Sequence, residues 1–527
     1  MRLRKIKKQL KQKFGSVPDP HYFHGDMEYI RAYYDFRKNA GLDKFLIDEI
    51  TWNDLNMDGI FKRINPGLST SGEQYLYYML RSPAVTEGDY NGRKALIELV
   101  EKKPDLRLKL QIILARLGCT RRADLSRAFC PSTHGYGWLL FYLVLMLLVL
   151  ASIAAAVLSP KHGLMLLFVM FALNTALHEF RIRKIQRDFD TVNYTVNMIF
   201  ALHRIRKLKA PDLDCQLTEA YKSLDRLHSA IRTGGVTGAS GNSVGDIITS
   251  FLLLDLIAYE FLKNKLGRNH KDVFNVHENL GKIDAAISIA SYRKSLKTYA
   301  KPEISFGTAG FMDVLQMVHP LITHPVPNNL LANNSVLITG SNASGKSTYL
   351  KTTALCAIMA QSICTCTAEK YHASAFHIYS SMALSDDLLA GESYYIVETK
   401  SLKRILDRTA YEGAILCVID EVLRGTNTVE RIAASSEVLE ALAQKGALCL
   451  AATHDIELCT LLKSSYHLYH FEEIISENDM LFDYIIREGP AQSRNAINLL
   501  KIIGFDDVIV ERAHKRANRY LNDGIWD

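Results

Sequence analysis

The stretch that most constrains this chain runs V-L-I-T-G-S-N-A-S-G-K-S-T-Y-L from Val336 to Leu350. Its apolar, β-branched opening predicts a strand over Val336 to Thr339, its glycines bound a loop, and the residues from near Lys346 predict a helix. The G-x-x-x-x-G-K-S spacing is complete at Gly340, Gly345, Lys346 and Ser347, in the strand, loop and helix context that a phosphate-binding loop requires. Glycine lets backbone N–H groups turn inward around phosphate oxygens, and a helix N-terminus adds the positive end of its dipole. Gly340, Ser341, Asn342, Ala343, Ser344, Gly345, Lys346, Ser347 and Thr348 are therefore the residues expected around a nucleoside triphosphate. Lys346 is expected to reach its β- and γ-phosphates, and the Ser347 hydroxyl to ligate Mg²⁺.

The second half of such a site lies downstream. Ile415-Leu-Cys-Val-Ile419 is the continuous apolar run of a buried parallel strand, with Asp420-Glu421 at its carboxyl end. Ligands bind at that end of such sheets. Asp420 is expected to hold the Mg²⁺ ion through water, and Glu421 to orient or activate the attacking water. A further strand, Ala447 to Ala452, ends in Thr453-His454-Asp455, which brings His454 towards the γ-phosphate from the neighbouring strand. Lys346, Glu421 and His454 are thus the catalytic candidates, and Ser347 and Asp420 the metal ligands.

The 527 residues suffice for about three domains. Nine cysteines, an odd number with no C-x-x-C pair, lie partly inside apolar runs, which argues for reduced core cysteines and against zinc or a disulfide framework. The net charge of +7 is concentrated at the start, where the first fifteen residues hold seven Lys and Arg and no acid. Leu3, Ile6, Leu10 and Phe14 recur there at helical spacing. Such a segment suits an anionic membrane surface or nucleic acid, and equally a solvated tail.

Trp138 to Ser159 is 22 residues without a charge, about 30 Å of helix, and reads as a transmembrane span. A second apolar run, Leu164 to Leu177, matches that thickness when Asn174, His178 and Phe180 sit in the interface. Arg121, Arg122 and Arg127 precede the pair, Arg181, Arg183, Lys184 and Arg187 follow it, and the turn carries only Lys161 besides His162. This bias places both flanks, and with them both termini, in the cytoplasm. Tyr136 and Trp138 mark the interface; the alternative is an apolar hairpin buried in a large core. The run Ile247 to Leu262, interrupted by Asp255 and Glu260, reads as a core helix, and the glycine-rich residues 234 to 245 as a surface loop without a following Lys-Ser.

Taken in order, several of these motifs resemble the MutS proteins of DNA mismatch repair, whose ATPase is of the ABC type. The resemblance is carried by T-G-S-N-A-S-G-K-S-T-Y-L, D-D-L-L-A-G-E-S-Y-Y-I-V-E-T-K (386 to 400), I-D-E-V-L-R-G-T-N-T (419 to 428) and A-T-H-D (452 to 455). His319-Pro320, Pro327-Asn328 and E-G-P-A-Q-S-R-N-A-I (488 to 497) extend it. It runs from about Asp48 to the C-terminus, interrupted by the apolar hairpin. It implies ATP and Mg²⁺ as cofactors, phosphate contact by Asn342, and a homodimer in which Ser393 is presented to the nucleotide of the opposite subunit. Glu398 matches the acid of the same signature helix, and Arg424-Gly425-Thr426 the loop after the acidic pair. The family's aromatic residue ahead of the Pro-Asn step has no counterpart in Thr323-His-Pro-Val-Pro-Asn328, so the resemblance assigns no residue to stack on adenine.

The fold expected is a C-terminal α/β P-loop NTPase domain of the ABC type, preceded by an all-α core and lever domain that a transmembrane helical hairpin interrupts. The expected divisions are a basic segment (1–45), the first helical part (46–137), the hairpin (138–180), the second helical part (181–301) and the ATPase domain (302–527). Only about 45 residues precede the helical core, and no Phe-x-Glu wedge occurs there, so mismatch recognition is not expected. The function expected is a membrane-anchored ATPase whose cycle closes a dimer and moves its levers, as a DNA-binding clamp without mismatch recognition. The alternative is a protein-binding or membrane-remodelling ATPase with no DNA role.

Overall fold

The computed structural model describes residues 2–19, 22–23, 25–120, 123, 125–131, 135–232, 249–307, 309–341, 344–382, 394–409, 413–476, 479–491, 497, 500 and 504–523. They form two compact units that interleave along the chain. One comprises Met1–Asp43, Ile64–Tyr78 and Ala95–Ser295, the other Lys44–Arg63, Met79–Lys94 and Leu296–Asp527.

The second unit is α/β. Its strands are β1 (Glu303–Ser305), β2 (Met312–Met317), β3 (Asn328–Ala332), β4 (Ser335–Thr339), β5 (Lys370–Ser374), β6 (Phe376–Ser381), β7 (Ala414–Asp420), β8 (Leu448–Thr453), β9 (Tyr466–Ser476) and β10 (Asp479–Glu488). Six of them form a sheet in the order β10-β9-β4-β8-β7-β6, all parallel except the edge strand β10. The other four form a smaller mixed sheet, β1-β5-β2-β3. The helix Lys346–Ile363 packs on β7, β8 and β6 of the large sheet and on β2 of the small one. Covered on both sides, it is buried at every residue from Thr352 to Ile363, which is why its sequence shows no polar face.

The segment T-W-N-D-L, within the helix Glu49–Asp54 and its C-cap, belongs to this α/β unit and fastens the end of β6. Asp54 accepts from the Ser380 hydroxyl (2.6 Å) and the Met382 N–H (3.1 Å), and the Thr51 hydroxyl accepts from the Ser380 N–H (3.0 Å). Arg404, on the helix Tyr394–Arg408, pairs with Asp48.

The first unit is helical. Its interior helix, His270–Ser295, is buried over most of its length. At its middle the Asp284 carboxyl accepts from the Ser69 hydroxyl, which in turn accepts from the Gly72 N–H (3.1 Å). Burial pushes the Asp284 carboxyl up to about 7, helped by the charge of Glu73 and opposed by the bond from Ser69. The basic segment forms the helix Arg2–Lys13 and is not a free tail. Leu10 is buried, Phe14 lies 3.8 Å beneath the Arg107 guanidinium, and the Gly15 N–H donates to Ser291 Oγ (2.9 Å), while Lys5, Lys7, Lys8, Lys11 and Lys13 stay exposed.

Two helices of this unit, Gly137–Leu158 and Pro160–Arg206, are long and apolar enough to cross a membrane. They pair so closely that a Cβ at Gly163 would lie 2.1 Å from the Ala156 nitrogen. On one flank they are covered by the start of the helix Leu254–Arg268, where Leu253 and Leu256 join Tyr142, Leu145, Val149 and Met170 in one cluster. Polar groups line that seam. Asn174 donates to the Phe251 carbonyl (2.9 Å), His178 Nε2 lies 2.6 Å from Asp255 Oδ2, and Arg181 Nε donates to the Tyr142 hydroxyl (2.7 Å). On the other flanks Leu140, Val144, Leu147, Leu164, Phe168 and Leu173 are exposed. Of the flanking cations, Arg121 and Arg122 lie outside the described residues, as does the glycine-rich loop 234 to 245.

Candidate nucleotide site

Strand register explains how distant residues meet. Thr339 of β4 pairs with Thr453 of β8, and Asp420 of β7 pairs with Ala452 of the same strand. The loop after β4, the Asp420-Glu421 step and His454 therefore leave the sheet at one level, at the carboxyl ends of three adjacent parallel strands.

The loop closes on itself around Lys346. Its Nζ donates to the carbonyl oxygens of Gly340 (2.8 Å) and Ser341 (2.6 Å). Burial pushes the ammonium down to about 8, against the opposing charges of Glu421 and Asp420. Gly345 ends the loop at φ 106°, where a side chain would be strained, and a Cβ there would lie 3.1 Å from the Tyr484 ring. Ser347 and Thr348 are exposed at the start of the helix. Asn342 and Ala343 fall outside the described residues, and so does Ser393.

Glu421 sits at φ 55° with its N–H donating to the Ala452 carbonyl (3.0 Å). Its carboxylate lies 2.6 Å from His454 Nε2 and pairs with Arg424. Burial alone would raise this carboxyl, but His454, Arg424 and Lys346 together hold it below the usual range, so it stands as a base. The turn that presents His454 is fixed in its own right. Arg431 grips Asp455 with two bonds (2.9 and 2.6 Å), and the Asp455 N–H donates to the Thr453 hydroxyl (3.0 Å). Asp420 Oδ1 and Ser344 Oγ are buried with no hydrogen-bond partner among the described residues.

Sequence reasoning missed two further parts. The first is a latch. Glu398, buried on the helix Tyr394–Arg408, accepts from the Leu423 N–H (2.6 Å), and Leu423 has φ 58°. A carboxylate on the signature helix thereby holds the strained turn that carries Glu421. The second is a cavity of about 310 Å³ beside Gly345 and Thr348, walled by Ile322, His324, Val326, Phe471 and Tyr484. Tyr484 comes from an irregularity in β10, where the register with β9 shifts between Phe482 and Ile486. Asn328 binds this bulge on both sides, donating to the Tyr484 carbonyl (2.9 Å) and accepting from the Ile486 N–H (2.8 Å). The cavity supplies three aromatic rings (Tyr349, Phe471, Tyr484) and two imidazoles (His319, His324) beside the phosphate loop, the surroundings a planar base requires. The signal available in sequence was Asn328, a side chain able to pair with both edges of a peptide.

A loop-and-helix phosphate cradle after an inner parallel strand, with an Asp-Glu step and a histidine on neighbouring strands, defines a P-loop ATPase-type domain. The family profile of MutS domain V matches residues 336–520. The chain is similar to the DNA mismatch repair protein MutS of Thermotoga petrophila, 30% identical over 263 residues, which are 48% of this chain and 32% of that protein. It is similar also to the DNA mismatch repair proteins MutS of Thermus aquaticus (35% over 200 residues, 37% of this chain and 24% of that protein) and Streptococcus uberis (34% over 195 residues, 36% and 23%). Over this shared part the chain is similar to the MutS family, and residues 336–520 match its domain V. It spans a third or less of the length of these relatives.

Proposed function

We propose that this chain is a membrane-anchored, Mg²⁺-dependent ATPase that works as a homodimer. The observation that carries the reading is the convergence of Lys346, Asp420, Glu421 and His454 at one sheet edge, beside a cavity of base size. Lys346 would exchange its two loop carbonyls for phosphate oxygens. Glu421, held ionised, would take a proton from the attacking water, and His454 would hold Glu421 in place and face the γ-phosphate. Asp420, whose Oδ1 is buried without a partner, and the exposed Ser347 hydroxyl fit a Mg²⁺ ion, which when bound would draw charge from the phosphate oxygens. Ser393 would be offered to the partner's phosphates.

In purified full-length protein, Glu421→Gln should bind ATP yet turn over at least about 100-fold more slowly. Lys346→Ala should lose binding itself. Turnover equal to wild type in Glu421→Gln would sink the assignment. The dimer has its own test, because a mixture of inactive Lys346→Ala and inactive Ser393→Arg protein should regain activity through one intact composite site. Proven subunit exchange without recovery would remove Ser393 from the site.

The exposed apolar flanks of Gly137–Leu158 and of the first part of Pro160–Arg206 support a two-span anchor, with the basic flank after it on the cytoplasmic side. DNA is the substrate that the relatives' names suggest, bound without mismatch recognition. Retention of plain duplex that weakens steeply with salt would support this. A second reading, a protein-binding or membrane-remodelling ATPase, is favoured by one observation: the outward flanks of the two hairpin helices are apolar and suited to lipid, with Lys161 at the turn between them. Absence of duplex retention at low salt would select it.

A further inference from the structure

We infer that the helical unit carries a binding site for the phosphate headgroup of an anionic membrane lipid, in the cleft lined by Arg127, Arg183, Lys184 and Arg187. The inference rests on the hairpin spanning a membrane. The cleft has a volume of about 510 Å³ and is walled also by Tyr29 and Gln186. That lies within the roughly 300–1,000 Å³ of small-molecule sites.

Its depth is fixed by the helix that forms it. Phe180 is the last exposed apolar residue of the run on Pro160–Arg206. Arg181, the first cation after it, turns inward, 3.8 Å from the Trp138 ring centre and 3.7 Å from Glu260. Arg183, Lys184 and Arg187 point out, three to seven residues further on, or about 5–10 Å along the axis. The polar layer on one side of a bilayer is about 5–8 Å thick, so these cations sit at headgroup level.

Charge and pairing fit a phosphate. Arg127 bonds Asp188 (2.9 Å), which Lys263 also approaches (3.8 Å), and Arg183 reaches Glu179 (3.8 Å). Asp188 is thus neutralised within the protein, and Asp190 lies half-buried on the wall. Lys184 and Arg187, one helical turn apart, are exposed and have no side-chain hydrogen bond or ion pair among the described residues. Two uncompensated cations lining a cleft that Tyr29 also lines present donors to an anion held at the surface of the bilayer.

The test uses full-length protein in detergent with mixed micelles of phosphatidylglycerol and phosphatidylcholine, reading retained lipid by native mass spectrometry. Wild type should retain phosphatidylglycerol in preference to phosphatidylcholine, and the Lys184→Gln/Arg187→Gln double variant should lose that preference by about tenfold or more. Lys161→Gln, in the turn at the opposite end of the hairpin, should keep it. Equal retention by wild type and double variant, with unchanged ATP binding as the check on folding, overturns the site. Full displacement of phosphatidylglycerol by millimolar inorganic phosphate overturns the lipid as ligand. Failure of the underlying reading is separable: a chain that fractionates as soluble without detergent has no membrane anchor, whereas a membrane-bound chain without lipid preference lacks only this site.

Discussion

The helices Lys346–Ile363 and Gly137–Leu158 are both apolar over most of their lengths, yet the protein treats them in opposite ways. Leu355 is fully buried between two sheets, while Leu147 is 58% exposed. The first helix has cover on every side because strands before and after it in sequence fold over it. Among the described residues the second is covered along the seam made by the other hairpin helix and by Phe251 to Ile257. An apolar run therefore does not by itself say core or bilayer; what the rest of the chain can lay against it decides. One region keeps its apolar surface for itself and carries chemistry at the sheet edge. The other leaves apolar surface uncovered among the described residues, as the proposed anchor requires.

Changes in the two regions should therefore have separable effects. The largest effect is expected from replacing Trp138 to Phe180 with a short polar linker, together with Leu253→Ser and Leu256→Ser to cover the uncovered seam. Activity should move from the membrane pellet to the supernatant with its ATP affinity intact. Wild-type protein already soluble without detergent would break the comparison outright.

Next in size is Tyr484→Ala. Loss of a ring beside the base cavity should raise KM for ATP by about tenfold while leaving kcat within about a factor of two, in line with the 1–3 kcal/mol of base stacking. An unchanged KM would leave the cavity without a role in nucleotide binding. Glu398→Ala should do the reverse. Freeing the Leu423 N–H should lower kcat by about tenfold with little change in KM, and Glu398→Gln, which can still accept that bond, should restore much of the loss. Equal kinetics for Ala and Gln would mean that the latch does not position Glu421.

The smallest effect concerns the helical unit alone. Asp284 has its carboxyl raised in the folded state to about 7 from an ordinary value near 4, chiefly by burial. A raised carboxyl contributes stability that is full below about pH 4 and is lost as pH climbs through about 7, because the folded chain holds the proton that the unfolded chain releases. Asp284→Asn should flatten this dependence and raise stability at pH 8 by about 1 kcal/mol. Thermal unfolding followed between pH 5 and 8 checks it, and parallel wild-type and variant curves would contradict it.

The sequence was most legible where chemistry imposes a local pattern. β4, its loop and the helix at Lys346 lie within two residues of their expected bounds, as do β7 and β8, because each is a short contiguous signal. What stayed hidden depends on pairing between distant positions. Tyr484 reaches the cavity only because Asn328, 156 residues earlier, holds a bulge that no local pattern announces. Glu398 was visible as a signature acid but not as a latch, since its partner is a backbone N–H on another element. The divisions read from sequence ran consecutively, whereas residues 44–63 and 79–94 group with the α/β unit through contacts such as Asp54 with Ser380. The run Ile247 to Leu262 reads as a core helix; its part from Leu254 lies in the helix Leu254–Arg268, whose start packs against the apolar hairpin.

The helix Pro160–Arg206 is continuous for 47 residues, roughly 70 Å, and after Gly163 it contains neither glycine nor proline. Its first turns lie in the hairpin, and its last, from Thr191 to Ile205, are clasped by the helical unit. A shaft without a hinge delivers at one end the rotation applied at the other. On the proposed membrane anchor, any turning of the helical unit during a nucleotide cycle would be geared to the anchor and resisted by the viscosity of the bilayer. The membrane would then set a mechanical load on the cycle, and a stiffer bilayer would be a slower gear.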